Sequence, residues 1–130
     1  MKRVMIDTNV YSLALKGDPE VADRLRKVDR IGINAISIGE LLSGFKGGGR
    51  EDKNREELET FLDSPRVTVH MIDAETADFY ASILNKLKSA GTPIPTNDIW
   101  IGASAFQHGY RLFNRDRHFE AVQGLILVAR

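Results

Sequence analysis

The sequence has no cysteine, which excludes disulfide cross-links and thiolate metal sites. It has no excess of either charge: 18 basic residues stand against 18 acidic ones, a balance that argues against a simple basic nucleic-acid-binding module. No apolar run approaches the ~20 residues of a membrane span. The short run after Lys2 and Arg3 stops at Asp7, so no signal peptide is expected, and a soluble, cytoplasmic protein without membrane attachment follows. There is no internal repeat and no low-complexity tract. Core-forming residues are plentiful: 42% of the 130 residues are hydrophobic, which suits a single domain spanning residues 1–130.

The segment Val4-Met5-Ile6-Asp7-Thr8-Asn9 organises the rest. Its apolar start, β-branched at Val4 and Ile6, reads as a strand buried on both faces, with Asp7 where the strand leaves the sheet. Thr8 or Asn9 is positioned to cap a helix over residues 10–15. Asp18-Pro19-Glu20 reads as a helix start, and Val21, Leu25 and Val28 give that helix an apolar face. Ile31-Gly32-Ile33-Asn34 is a second strand, leading into Ser37-Ile38-Gly39-Glu40, which fits a capping box. Gly47-Gly48-Gly49 forms a flexible turn before a charged surface helix over residues 50–63. Val67, Val69 and Met71 alternate with polar residues, as in a half-buried or edge strand. Asp73 caps a helix that Gly91 ends; Thr96 or Asn97 caps another that Gly109 ends. Residues 110–113 and 125–128 read as the last two strands. Strands alternating with helices imply an α/β fold: a mostly parallel central sheet with helices on both faces.

Four acids draw the argument toward chemistry. Asp7 and Asp116 follow strands, while Glu40 and Asp98 sit near helix starts expected at the same sheet edge. Ligands bind outside the carboxyl ends of such strands. Each acid also has a plain structural role open to it, as a cap, a complement to a helix dipole or a turn residue. Four carboxylates in one cleft repel: two unit charges ~4 Å apart cost roughly 4 kcal/mol at an effective dielectric near 20. A divalent cation removes that conflict, and an all-oxygen ligand set suits Mg²⁺ or Mn²⁺ rather than zinc. Such an ion activates water and holds a phosphodiester. Asn9 and Asn114 are placed to orient carboxylates from behind.

These motifs resemble a PIN domain: Asp7-Thr8-Asn9 at the start, Ser37-x-x-Glu40, Asp98 opening a helix of small residues, and Asn114-x-Asp116-x-x-Phe119 near the end. In length and motif order the chain is similar to the toxin ribonucleases of VapBC-type toxin–antitoxin pairs. The resemblance covers essentially the whole chain. It implies a three-layer α/β/α sandwich, Mg²⁺- or Mn²⁺-dependent RNA cleavage, inhibition by a small antitoxin protein, and a homodimer. Carried over by position, Asp7, Glu40 and Asp98 match the family's core acids and Asp116 its more variable fourth. Asn114 departs from the family, which commonly has Thr there.

Other residues follow from this reading. His118 with Phe119 looks like a positioning element beside Asp116, and Arg115 and Arg117 are candidates for RNA phosphate contacts. Lys46, Arg50 and Lys53 suggest a mobile substrate loop. Tyr11, Leu13, Leu15 and Trp100 exceed what a small core needs, which points to a partner surface. Two rivals remain in other classes. A haloacid-dehalogenase-like phosphatase wants a second Asp two positions after the first, where Asn9 stands. A non-catalytic PIN-like interaction module would have no need of the acids. A response-regulator receiver would require an acidic pair after the first strand, which is not evident.

Overall fold

The computed structural model describes residues 3–115 and 117–128. The order of elements is β1 (Arg3–Ile6), α1 (Thr8–Leu15), α2 (Pro19–Arg26), β2 (Arg30–Asn34), α3 (Ala35–Lys46), α4 (Glu51–Leu62), β3 (Val67–His70), α5 (Ala74–Ala90), α6 (Thr96–His108) and β4 (Arg111–Phe113), followed by a 3₁₀ turn over Arg117–Ala121. The strands form one sheet in the order β3-β2-β1-β4, with every pairing parallel. The chain therefore steps outward from β1 to β3, then crosses back to place β4 on the other side of β1. The carboxyl end of β1, where Asp7 stands, lies at this reversal, the usual ligand position in an open parallel sheet.

Strand alternation sorts the core into layers. Val4 and Ile6 of β1, Ile31 and Ile33 of β2 and Phe113 of β4 pack with Val10, Tyr11, Val21, Leu25, Leu41 and Leu58 from α1 to α4. Met5 and Leu112 face the other way, against Ile101 and Ala105 of α6. Helix α5 packs outside α6 through Ile83 and Leu87 against Ile99 and Ala103. The result is the expected α/β/α sandwich.

Four local expectations differ from the structure. Helix α1 is capped by Asp7 itself, not by Thr8 or Asn9, its side chain accepting from Val10 N–H. Helix α3 is capped by Asn34, not by Ser37, so Glu40 lies in the second turn and completes no capping box. Both strands run straight into helices, and the polar residue at the junction serves as the cap. Helix α6 begins after Pro95 with no side-chain cap bond, leaving Thr96 and Asn97 inside its first turn. Finally, the strand expected over 125–128 is reduced, among the described residues, to a single parallel bridge between Leu112 and Leu127.

At the amino edge of the sheet, arginines close helix ends. Arg66 donates to the carbonyls of Leu25 and Val28 at the end of α2, and Arg3 to that of His108 at the end of α6. Carbonyls at helix ends have spare acceptor capacity, and the guanidinium groups fill it here. Between these ends, Tyr110 lies across the sheet over Gly32. A Cβ on Gly32 would meet the Tyr110 ring at 2.9 Å, so the position admits only glycine without a shift of the ring. The Tyr110 hydroxyl reaches Nε2 of His70 at 2.8 Å, and the His70 ring stacks on His108 with centroids 4.0 Å apart.

Burial, together with the electrostatic influence of neighbouring His108 and Arg3, holds the His70 imidazole down at about 4, against an ordinary 6.5. The unfolded chain takes up this proton as pH falls through 6.5, while the folded chain resists until about 4. Stability is therefore expected to decline from neutral pH toward pH 4 and then level as far as this group is concerned. Urea midpoints at pH 7 and pH 5 for wild type and His70→Gln check this. The wild type should lose more between the two conditions; equal losses would remove His70 as the cause.

Candidate functional site

The carboxyl edge of the sheet carries three of the four candidate acids: Asp7, Glu40 and Asp98. Asp7 is 5% exposed and fixed by its own cap bond, Val10 N–H to Oδ1 at 2.8 Å. Glu40 projects from the second turn of α3 and is reached from two sides. The Thr8 hydroxyl, at the start of α1, donates to Oε1 at 2.9 Å. The Asn97 side-chain amide, in the first turn of α6, donates to Oε2 at 3.1 Å. Asp98 follows Asn97, and its Oδ2 lies 3.0 Å from Nδ1 of His118. Helix α6 is fixed at this edge by Asn34, whose amide nitrogen donates to the Trp100 carbonyl at 3.3 Å and to the Ser104 hydroxyl at 3.1 Å.

Thus the chain neighbours of Asp7 and Asp98 are both tied to Glu40. Asp116 lies outside the described residues. Among the described residues, no group of three or more acids or histidines is close enough to hold a metal ion jointly. The donor set nevertheless fits a hard cation: Asp7, Glu40 and Asp98 offer carboxylate oxygens, and neither donor to Glu40 carries a charge that would neutralise it. Each Glu40 oxygen spends one acceptor position on its donor and keeps another.

The remaining expected residues fall in various places. Asn114 is 5% exposed just beyond β4, whereas Asn9 is exposed on α1. Arg115 reaches Glu20 at 3.3 Å and Asp18 at 4.0 Å, linking the loop after β4 to the start of α2. Arg117 is an exposed partner of Glu120 at 3.6 Å. Lys46 pairs with Glu51 across the triglycine turn at 3.1 Å. Arg50 precedes α4, and Lys53 lies within its first turns. Tyr11 belongs to the core, edge-on to Phe61 with centroids 5.1 Å apart. Leu13 packs against that core, while Leu15 is 45% exposed. Trp100 stacks on Tyr80 of α5 with centroids 4.0 Å apart. Thr8 and Asn97, cap candidates by sequence, are instead donors to Glu40. The available signal was their position, each beside a candidate acid. No helix among the described residues is long and apolar enough to cross a membrane.

The chain is also similar to known proteins over most of its length. The PIN domain profile matches residues 4–125. The chain is 27% identical to ribonuclease VapC4 of Mycobacterium tuberculosis, over 94% of this chain and 92% of that protein. It is 30% identical to ribonuclease VapC1 of Haemophilus influenzae, over 78% of this chain and 77% of the relative. Among solved structures, it superposes on DNA-bound VapBC from Salmonella typhimurium with a TM-score of 0.86, at 27% identity, covering 98% of each chain.

Proposed function

The chain belongs to the PIN-domain family, and from that premise we propose that it is a metal-dependent endoribonuclease, the toxin of a type II toxin–antitoxin pair. Its relatives' names as VapC ribonucleases and its similarity to a VapBC complex support the nuclease activity and a small antitoxin partner. The finer reading is a single domain over residues 1–130 that works in the cytoplasm as a homodimer and hydrolyses RNA phosphodiesters with water as nucleophile.

The observation that carries the site assignment is the double hydrogen bonding of Glu40 by the residues next to Asp7 and Asp98. In this reading Asp7, Glu40, Asp98 and Asp116 would hold Mg²⁺ or Mn²⁺. The ion, when bound, supplies Lewis-acid stabilisation of the phosphoryl group and a lowered water pKa. The protein's own groups prepare the place. The cap bond to Val10 fixes Asp7, Thr8 and Asn97 fix Glu40, and His118 bears on Asp98. Asn114 stands in support beyond β4, Asn9 is available from α1, and Arg117 and Arg115 flank the fourth acid as contacts for RNA phosphates.

Incubating the protein with a mixed-sequence RNA and with a generic phosphomonoester, in Mn²⁺, in Mg²⁺ and in EDTA, tests this reading. RNA should be cut only with a divalent ion, and the phosphomonoester should stay intact. Equal RNA cleavage in EDTA would remove the metal. Hydrolysis of the monoester alone would favour the phosphatase.

A further inference from the structure

We infer that Asn97 is a positioning residue that sets the orientation of Glu40 for cation binding. This rests on the metal-site reading above and deepens it. A first-turn polar residue is ordinarily explained as a helix cap, but α6 has Pro95 at its cap position and makes no side-chain cap bond. Asn97 instead donates its amide hydrogen away from its own helix, to Glu40 Oε2 of α3.

A second ordinary explanation is that this bond docks α6 onto the rest of the fold. That task already has an owner. Asn34 is fully buried and joins the α3 junction to Trp100 and Ser104 of α6. Asn97 is exposed, so its contribution to packing is small.

What remains is its effect on the carboxylate. With Thr8 on one oxygen and Asn97 on the other, the plane of the Glu40 carboxylate is fixed by two neutral donors. A lysine or arginine at either place would hold the group equally well but would cancel the charge a cation needs. Because Thr8 adjoins Asp7 and Asn97 adjoins Asp98, the same two bonds tie Glu40 to the chain neighbours of both other acids. Outer partners of this kind characteristically change metal affinity by about 10–100-fold when removed.

The test is titration of Mn²⁺ by calorimetry into wild type, Asn97→Ala, Asn97→Asp and Asn97→Gln, with melting curves in EDTA alongside. Asn97→Ala should melt close to wild type in EDTA yet bind Mn²⁺ about tenfold more weakly. Asn97→Gln, which restores an amide donor, should recover part of that loss. Asn97→Asp places a carboxylate against Glu40 and should melt lower than wild type in EDTA, a difference that Mn²⁺ narrows. The side-chain amide resonance of Asn97 should move on Glu40→Gln, because the bond loses its charged acceptor. Wild-type Mn²⁺ affinity in Asn97→Ala would overturn the positioning role and leave the metal site standing. Absence of Mn²⁺ binding in the wild type would overturn the metal reading and this role with it.

Discussion

Asp7→Asn is expected to abolish most RNA cleavage while leaving the fold intact. The cap role of this side chain and its proposed metal-binding role are separable by substitution. As a cap, Asp7 accepts one hydrogen bond from Val10 N–H at 2.8 Å, and asparagine caps helices about as well as aspartate. As the proposed metal ligand it would supply a negative charge, which asparagine does not. Losing several kcal/mol of transition-state charge stabilisation corresponds to a rate loss of about 10²–10³-fold or more. In EDTA the variant should melt near the wild type or slightly above it, since one of several neighbouring negative charges is gone. In Mn²⁺ the order should reverse. At a hundredfold excess over Kd, a ligand specific to the folded state stabilises by about 2.7 kcal/mol, and the variant should gain little of this. Cleavage rates on labelled RNA and melting curves in both conditions decide the matter. Near-wild-type cleavage would sink the assignment of Asp7. A melting point well below wild type in EDTA would mean that its role in the fold exceeds that of a cap.

Asn34→Ala is expected to produce a large loss of stability, about 3 kcal/mol. Asn34 is fully buried, and its three hydrogen bonds join two layers. Its oxygen accepts from Ser37 N–H at 2.9 Å, capping α3, and loss of such a cap costs about 1 kcal/mol. Its nitrogen donates to Trp100 and Ser104 across the sheet edge, and a buried polar group left without its partner costs about 1–3 kcal/mol. For a chain of this size the melting temperature should fall by roughly 10 °C. Asn34→Asp isolates the second contribution, because the cap survives and the donor does not. It should therefore also be clearly destabilised. If Asn34→Asp matched the wild type, the cap alone would account for the conservative part of the effect, and the link to α6 would be energetically silent.

Much of this architecture is legible in the sequence because its signals are local. Asp18-Pro19 starts α2 as read, and Gly91 and Gly109 end α5 and α6 with positive φ values of 69°. The alternation of Val4, Met5 and Ile6 distributes them to opposite faces. The strand-to-helix junctions were harder to read. Asp7, Thr8 and Asn9 are all good caps standing in a row, and propensity does not rank neighbours. The same holds at Asn34 and Ser37, where the capping-box spacing matched a position three residues too late. Acids at helix ends are common in this chain, as at Asp18, Glu51 and Asp73, so at the site Asp7, Glu40 and Asp98 stand out by being expected at one sheet edge. Their donors did not, since a hydrogen bond from Asn97 to Glu40 spans 57 positions and depends on how α6 meets α3. Likewise, nothing local marks Arg115 as a partner of Asp18 and Glu20.

The way Tyr110 rests on Gly32 constrains how this sequence can drift. An alanine at position 32 meets the ring at 2.9 Å, so it forces the tyrosine to shift. A chain that gives up the tyrosine first loses the hydroxyl partner of His70 and opens a void beneath the sheet, with its own cost in stability. The cost of either change therefore depends on which residue stands at the other position. Residues in contact behave non-additively in this way. The pair is therefore coupled: lineages descending from this sequence should exchange positions 32 and 110 together more readily than either alone.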